Sequence, residues 1–193
     1  MKINDDLIVD CGGSVVIENT DIESLTNGLF RWGEVKGSFS CAWCEDLKTL
    51  EGGPDVVGGD FDCNRCKALK TLEGCPKAVD GGFYCNDCDG LKTLKGSPKR
   101  INGDFRCSCC KNLRSLEGGP EKVDGIFDCS MCDKLESLKG SPKEVGHHFR
   151  CTGCGELRSL KDGPEKVRGV FWCDLCKNLV ITDDDRKKYI KMG

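Results

Sequence analysis

Seven cysteine pairs, each spaced Cys-x-x-Cys, are the residues of this chain whose type and spacing would do chemistry: Cys41 with Cys44, Cys63 with Cys66, Cys85 with Cys88, Cys107 with Cys110, Cys129 with Cys132, Cys151 with Cys154, and Cys173 with Cys176. Three chemistries compete for them. As thiolates, two pairs would supply four sulfurs to one zinc ion, and copper(I) or an iron–sulfur centre would draw on the same ligands. As oxidised partners they would staple the chain within a pair or between neighbouring units. As plain thiols they are small, readily buried side chains filling a tight interior. No pair is followed by His, which excludes covalent haem attachment. The only histidines, His147 and His148, are adjacent and give a His-based site almost nothing to build from.

The elements that would hold these pairs follow from a period of 22 residues. All six prolines keep it, from Pro54 to Pro164, as do Phe39, Phe61, Phe83, Phe105, Phe127, Phe149 and Phe171. Fourteen of the 17 cysteines belong to the ladder; Cys11, Cys75 and Cys109 stand off it. Phe and the first Cys of a unit are two apart, so they share one face of a short strand and the residue between them points away. Val, the second Cys and two Leu recur at spacings of three and four, too closely punctuated by Gly and Pro for separate helices. One such coil cannot bury its apolar positions alone, so coils must stack.

This predicts a mainly β, single-domain, right-handed parallel solenoid of seven Cys-x-x-Cys coils. Residues 1–30 form an N-terminal cap and degenerate coil, 31–180 the seven repeats, and 181–193 a C-terminal cap. In the degenerate coil, Ile17 is matched to Phe39, Asn19 to Cys41, Ile22 to Cys44 and Leu25 to Leu47 by the same 22-residue step. Ile3, Leu7, Ile8 and Val9 are expected in a strand or hairpin closing the first coil. Thr182 followed by Asp185 resembles a capping box opening a short helix whose Tyr189 and Ile190 lid the last coil.

The unit Phe127-x-Cys129-x-x-Cys132-x-x-Leu135-x-x-Leu138 is similar to the Leu-x-Leu-x-x-Cys-x-x-Leu core of leucine-rich repeats, particularly the Treponema-type class and the cysteine-rich repeats of phage and bacterial proteins. The resemblance covers about residues 13 to 180 and implies a parallel-stranded solenoid with a buried position for the second Cys, and it leaves a virus-encoded origin open. Phe and the first Cys stand where that family has strand leucines, and a Gly-and-Pro segment replaces its helix. The fold it implies does not name a partner.

Columns that vary between coils are free to recognise something. The outward strand column runs Ser40, Asp62, Tyr84, Arg106, Asp128, Arg150, Trp172, and its neighbour Ser38, Asp60, Gly82, Asp104, Ile126, His148, Val170. Tyr84, Arg106, Asp128, Arg150, Trp172, Ile126 and His148 form a mixed stripe with the composition of an interface core. A third column, Lys48, Lys70, Lys92, Arg114, Glu136, Arg158, is basic in all but one position, with Glu51, Glu73 and Glu117 three residues on and expected to offset it. The net charge of -3 speaks against nucleic acid as the main partner. No column pairs a nucleophile with a base. The expected function is a non-enzymatic scaffold for protein interaction or assembly through the strand face, with no cofactor, no membrane, and a cytoplasmic location given the two acids in the opening residues; end-to-end stacking into oligomers would follow from imperfect caps. The alternative is a thiol-rich metal-binding protein, with zinc held between Cys-x-x-Cys pairs, or a disulfide-laddered redox or structural protein.

Overall fold

The computed structural model describes residues 2–3, 8–26 and 28–189. Its body is a parallel β-solenoid of seven 22-residue coils. Every coil contributes a two-residue strand built on its Phe, and these strands pair in parallel with Phe over Phe: Phe39 against Phe61, Phe61 against Phe83, and so on to Phe149 against Phe171. A second strand in each coil, two residues long except for Arg31–Val35, carries the Val or Ile, with Val35 against Val57, Val57 against Val79, and Ile101 against Val123. In both sheets the alternation puts one residue inside and its neighbour outside, as the period-two strand geometry requires. The Phe sheet is continuous over eight strands. The Val sheet runs in two parts, because among the described residues no ladder joins Ala78–Val79 to Arg100–Ile101. A cleft of about 460 Å³ lined by Cys75, Pro76, Ser97 and Pro98 opens at that seam.

The third side of each coil has no sheet. It runs from the second Cys through two inward leucines to a tight corner. Gly52, Gly74, Gly96, Gly118 and Gly140 take that corner at positive φ. A Cβ on Gly74 would run into the backbone of Glu51 in the coil before it, so the corner needs glycine for space as well as for φ. Asp162 takes the same conformation in the sixth coil.

Stacking turns each apolar position into a column of Val, Phe, Cys, Cys, Leu and Leu that is buried up to the last coil, where Val167, Cys173, Cys176 and Leu179 are partly buried. The phenylalanines form a stack with centroids 5.1 to 5.7 Å apart from Phe39 to Phe149, closing to 4.8 Å between Phe149 and Phe171. Trp32 meets Phe39 edge-on at 5.6 Å and Phe30 meets Trp32 at 5.5 Å, so all eight phenylalanines belong to the column. At the other end Tyr189 stacks on Phe171 at 4.2 Å.

The first coil departs from the 22-residue register. Val15, not Ile17, pairs with Phe39, a step of 24 residues. Ile17 therefore lies in the first-Cys column, and Thr20 takes the second-Cys position, its hydroxyl 3.3 Å from the Cys44 sulfur. Lys48 donates its backbone N–H to Glu23, which places Ile22 and Leu25 in the two leucine columns. Both caps form: Lys2–Ile3 pairs antiparallel with Ile8–Cys11, and a helix spans Asp183–Tyr189. Its start is the expected capping box, with Asp185 N donating to Thr182 Oγ1 at 3.2 Å and Thr182 N to Asp185 Oδ2 at 2.9 Å. Leu7 and Ile190, expected in the caps, lie outside the described residues. Among the described residues no helix is long and apolar enough to cross a membrane.

Candidate functional site

The structure joins none of the seventeen cysteines in a disulfide. The second Cys of each pair donates its S–H to the carbonyl at the first-Cys position of the preceding coil: Cys66 to Cys41, Cys88 to Cys63, Cys110 to Cys85, Cys132 to Cys107, Cys154 to Cys129 and Cys176 to Cys151, at 3.1 to 3.3 Å. Cys44 does the same to Ile17 at 3.0 Å. The reason is where the Phe sheet ends. A continued parallel ladder would bring the N–H of Asn86 to the carbonyl of Cys63, but that N–H turns to Asn64 Oδ1 at 2.7 Å. The carbonyl is left inside without a backbone donor, and the thiol of the next coil caps it.

Several thiols of the first-Cys column are held neutral. Burial pushes Cys85, Cys107 and Cys151 well above the ordinary thiol range, and the hydrogen bond with Cys88 together with burial does the same for Cys63. A metal-binding or nucleophilic cysteine needs the opposite shift. Among the described residues no three His, Cys, Asp or Glu side chains converge as a metal-binding group. Of the off-ladder cysteines, Cys11 pairs with Val35 and so extends the Val column. Cys75 precedes its proline and donates to the Gly96 carbonyl at 3.0 Å, with burial holding its thiol up at about 12.

Cys109 belongs to a feature that the sequence reading missed. The residue before each second Cys has positive φ: Trp43, Arg65, Asp87, Cys109, Met131, Gly153 and Leu175. This left-handed residue makes the corner between the Phe sheet and the third side, and it throws its side chain outward. The signal available in sequence was negative: no member of the column is β-branched, the class least able to adopt that conformation. The corner places Trp43, Met131 and Leu175, 48%, 52% and 78% exposed, along the edge of the strand face.

On that face the expected residues are unequal. Tyr84 lies back across Gly82, whose missing side chain makes room for its ring, and burial together with Asp60 and Asp104 pushes its phenol up. Arg106 is tied to Asp104 at 2.7 Å, and Asp128 accepts from Ser130 N at 3.0 Å. The C-terminal end is different. Trp172 is flanked by the His148 ring, centroids 4.6 Å apart, and by the Arg150 guanidinium, 4.6 Å from its centroid. Arg150 also reaches Asp128 at 3.9 Å, and His148 Nδ1 accepts from Val170 N at 3.0 Å. Val170, two residues before Trp172, and Leu175, three after it, are exposed, and the contacts join Asp128, His148, Arg150 and Trp172 while Tyr84 and Arg106 lie beside Asp104.

The basic column lies on the third side. Its offset by Glu51, Glu73 and Glu117 does not form as expected: Glu73 pairs with Lys95 at 3.0 Å and Glu117 with Lys139 at 2.6 Å, each one coil on. The chain matches no known protein family, no curated protein and no solved structure.

Proposed function

We propose that the chain is a non-enzymatic repeat scaffold that binds a protein partner through the C-terminal half of its strand face. The observation that carries this reading is Trp172, a large aromatic held between Arg150 and His148 at the surface and bordered by exposed Val170 and Leu175. Tryptophan and arginine dominate binding hot spots, and an aromatic already fixed in place loses little freedom on association. The stacked coils behind it give the face a rigid base: Phe149 and Phe171 are buried directly beneath Arg150 and Trp172.

The test is a quantitative capture experiment followed by reconstitution. Wild-type protein and a Trp172→Ala, Arg150→Ala variant are used as bait, and a protein retained only by wild type is purified and titrated against both. The expected result is a loss of about 2 kcal/mol or more in the variant, with the circular dichroism and melting of the bait unchanged. Equal affinity for the two baits would remove the face from the reading.

A further inference from the structure

The third side of coils one to four carries a groove of about 550 Å³, lined by Lys48, Lys67, Lys70 and Lys92 with Ala68 and Gly90 between them. The basic column gives an internal comparison. In later coils its members are neutralised, Arg114 by Glu136 at 2.9 Å and Arg158 by Glu156 at 3.8 Å. At the near end Lys48 pairs with Glu23 at 2.7 Å, and Lys67 with Glu45 at 2.6 Å. Among the described residues Lys70 and Lys92 have no ion-pair partner; Glu73, the acid nearest Lys70 in sequence, is taken by Lys95. The one acid lining the groove, Asp89, is held by Lys111 at 3.4 Å.

Coils two and three open the surface. The column that holds Asp46, Asn112, Lys134, Glu156 and Asn178 elsewhere is reduced to Ala68 and Gly90 here. The cleft and the two unpaired ammonium groups therefore coincide. Lys70 and Lys92 sit on successive coils, about 4.8 Å apart along the stack. We propose that this groove binds an acidic segment of a partner protein, its carboxylates meeting Lys70 and Lys92 and its backbone lying over Ala68 and Gly90. The lining favours a peptide over a nucleic acid. It offers no aromatic ring for a base to stack on, and no arginine to grip a phosphate with two parallel hydrogen bonds. The site is separate from the strand face, so either stands without the other.

The probe is fluorescein-labelled hexaglutamate, titrated with the full chain by fluorescence anisotropy at low ionic strength. Saturable binding is expected, weakened about tenfold or more by Lys70→Gln with Lys92→Gln, and unchanged within about twofold by Lys143→Gln with Lys166→Gln, which removes the same charge from the Val side. All four lysines are exposed, so both variants keep the fold. Absence of binding, equal weakening by the two double variants, or tighter binding of tripolyphosphate or a thymidine oligonucleotide would each overturn the assignment.

Discussion

The thiol of Cys110 donates to the backbone carbonyl of Cys85, one coil earlier, at 3.2 Å. This bond makes the second cysteine a capping donor as well as a core filler, and the two roles predict opposite orders of stability. If the site needed only a small apolar group, Cys110→Ala would be milder than Cys110→Ser. Because a buried carbonyl depends on it, serine is expected to cost less than alanine, by about 1 kcal/mol, with alanine leaving the carbonyl unpaired at a cost of about 1–3 kcal/mol. Urea midpoints of the two variants measured under reducing conditions decide the order.

The left-handed corner residue makes a different demand. Met131 is exposed and has φ 57°, so its side chain contributes little packing while its backbone occupies a region that β-branched residues avoid. Met131→Val is expected to lower stability by about 1–2 kcal/mol, and Met131→Asn to leave it nearly unchanged. Comparable melting temperatures for the two variants would show that the corner carries no conformational strain.

Tyr189 closes the C-terminal end by stacking on Phe171 and donating its hydroxyl to the Pro164 carbonyl at 2.9 Å. Solenoid coils are stabilised mainly by their neighbours, so loss of a lid acts first on the coil beneath it. Tyr189→Ala should raise amide exchange across residues 164–180 and leave residues 98–141 protected, whereas Tyr189→Phe should lose only the hydrogen bond. Uniform loss of protection would mean that the whole rod unfolds as one unit.

What the sequence made legible was whatever repeats. The 22-residue step placed the Phe strand and the inward columns, and outside the repeats the Thr-x-x-Asp spacing placed the Thr182–Asp185 capping box, because each is a local pattern of side-chain chemistry. The degenerate coil misled for the same reason. Val15, Ile17, Ile22 and Leu25 are all apolar, and a step of 22 aligns Ile17 with Phe39 as plausibly as a step of 24 aligns Val15 with it; only the backbone ladder distinguishes them. The corner ridge was hidden because a positive φ leaves no single residue type behind. Charge pairing was hidden because Glu73 has Lys70 three residues away in sequence but reaches Lys95 on the next coil, and the choice is made by stacking.

The strongest consequence of the thiol ladder is a dependence of stability on pH. Burial raises the folded-state pKa of Cys85, Cys107 and Cys151, and the Cys88 hydrogen bond with burial raises that of Cys63. In the unfolded chain the same thiols ionise near their ordinary value of about 8.5. A group whose pKa is raised by folding gives its full stabilisation below the unfolded value and loses it as pH climbs toward the folded one. Above about pH 8.5 the unfolded state sheds protons that the folded state keeps, and each such thiol lowers stability by about 1.4 kcal/mol per pH unit. Several titrating together make the loss steep. Urea midpoints measured with reductant are therefore expected to be flat from about pH 6 to 8 and to fall sharply by about pH 10. Intact mass with and without reductant, together with elemental analysis, identifies the starting state. A midpoint that holds through pH 10 would mean that the sulfur columns are not protonated thiols, and would return the disulfide and metal readings to the front.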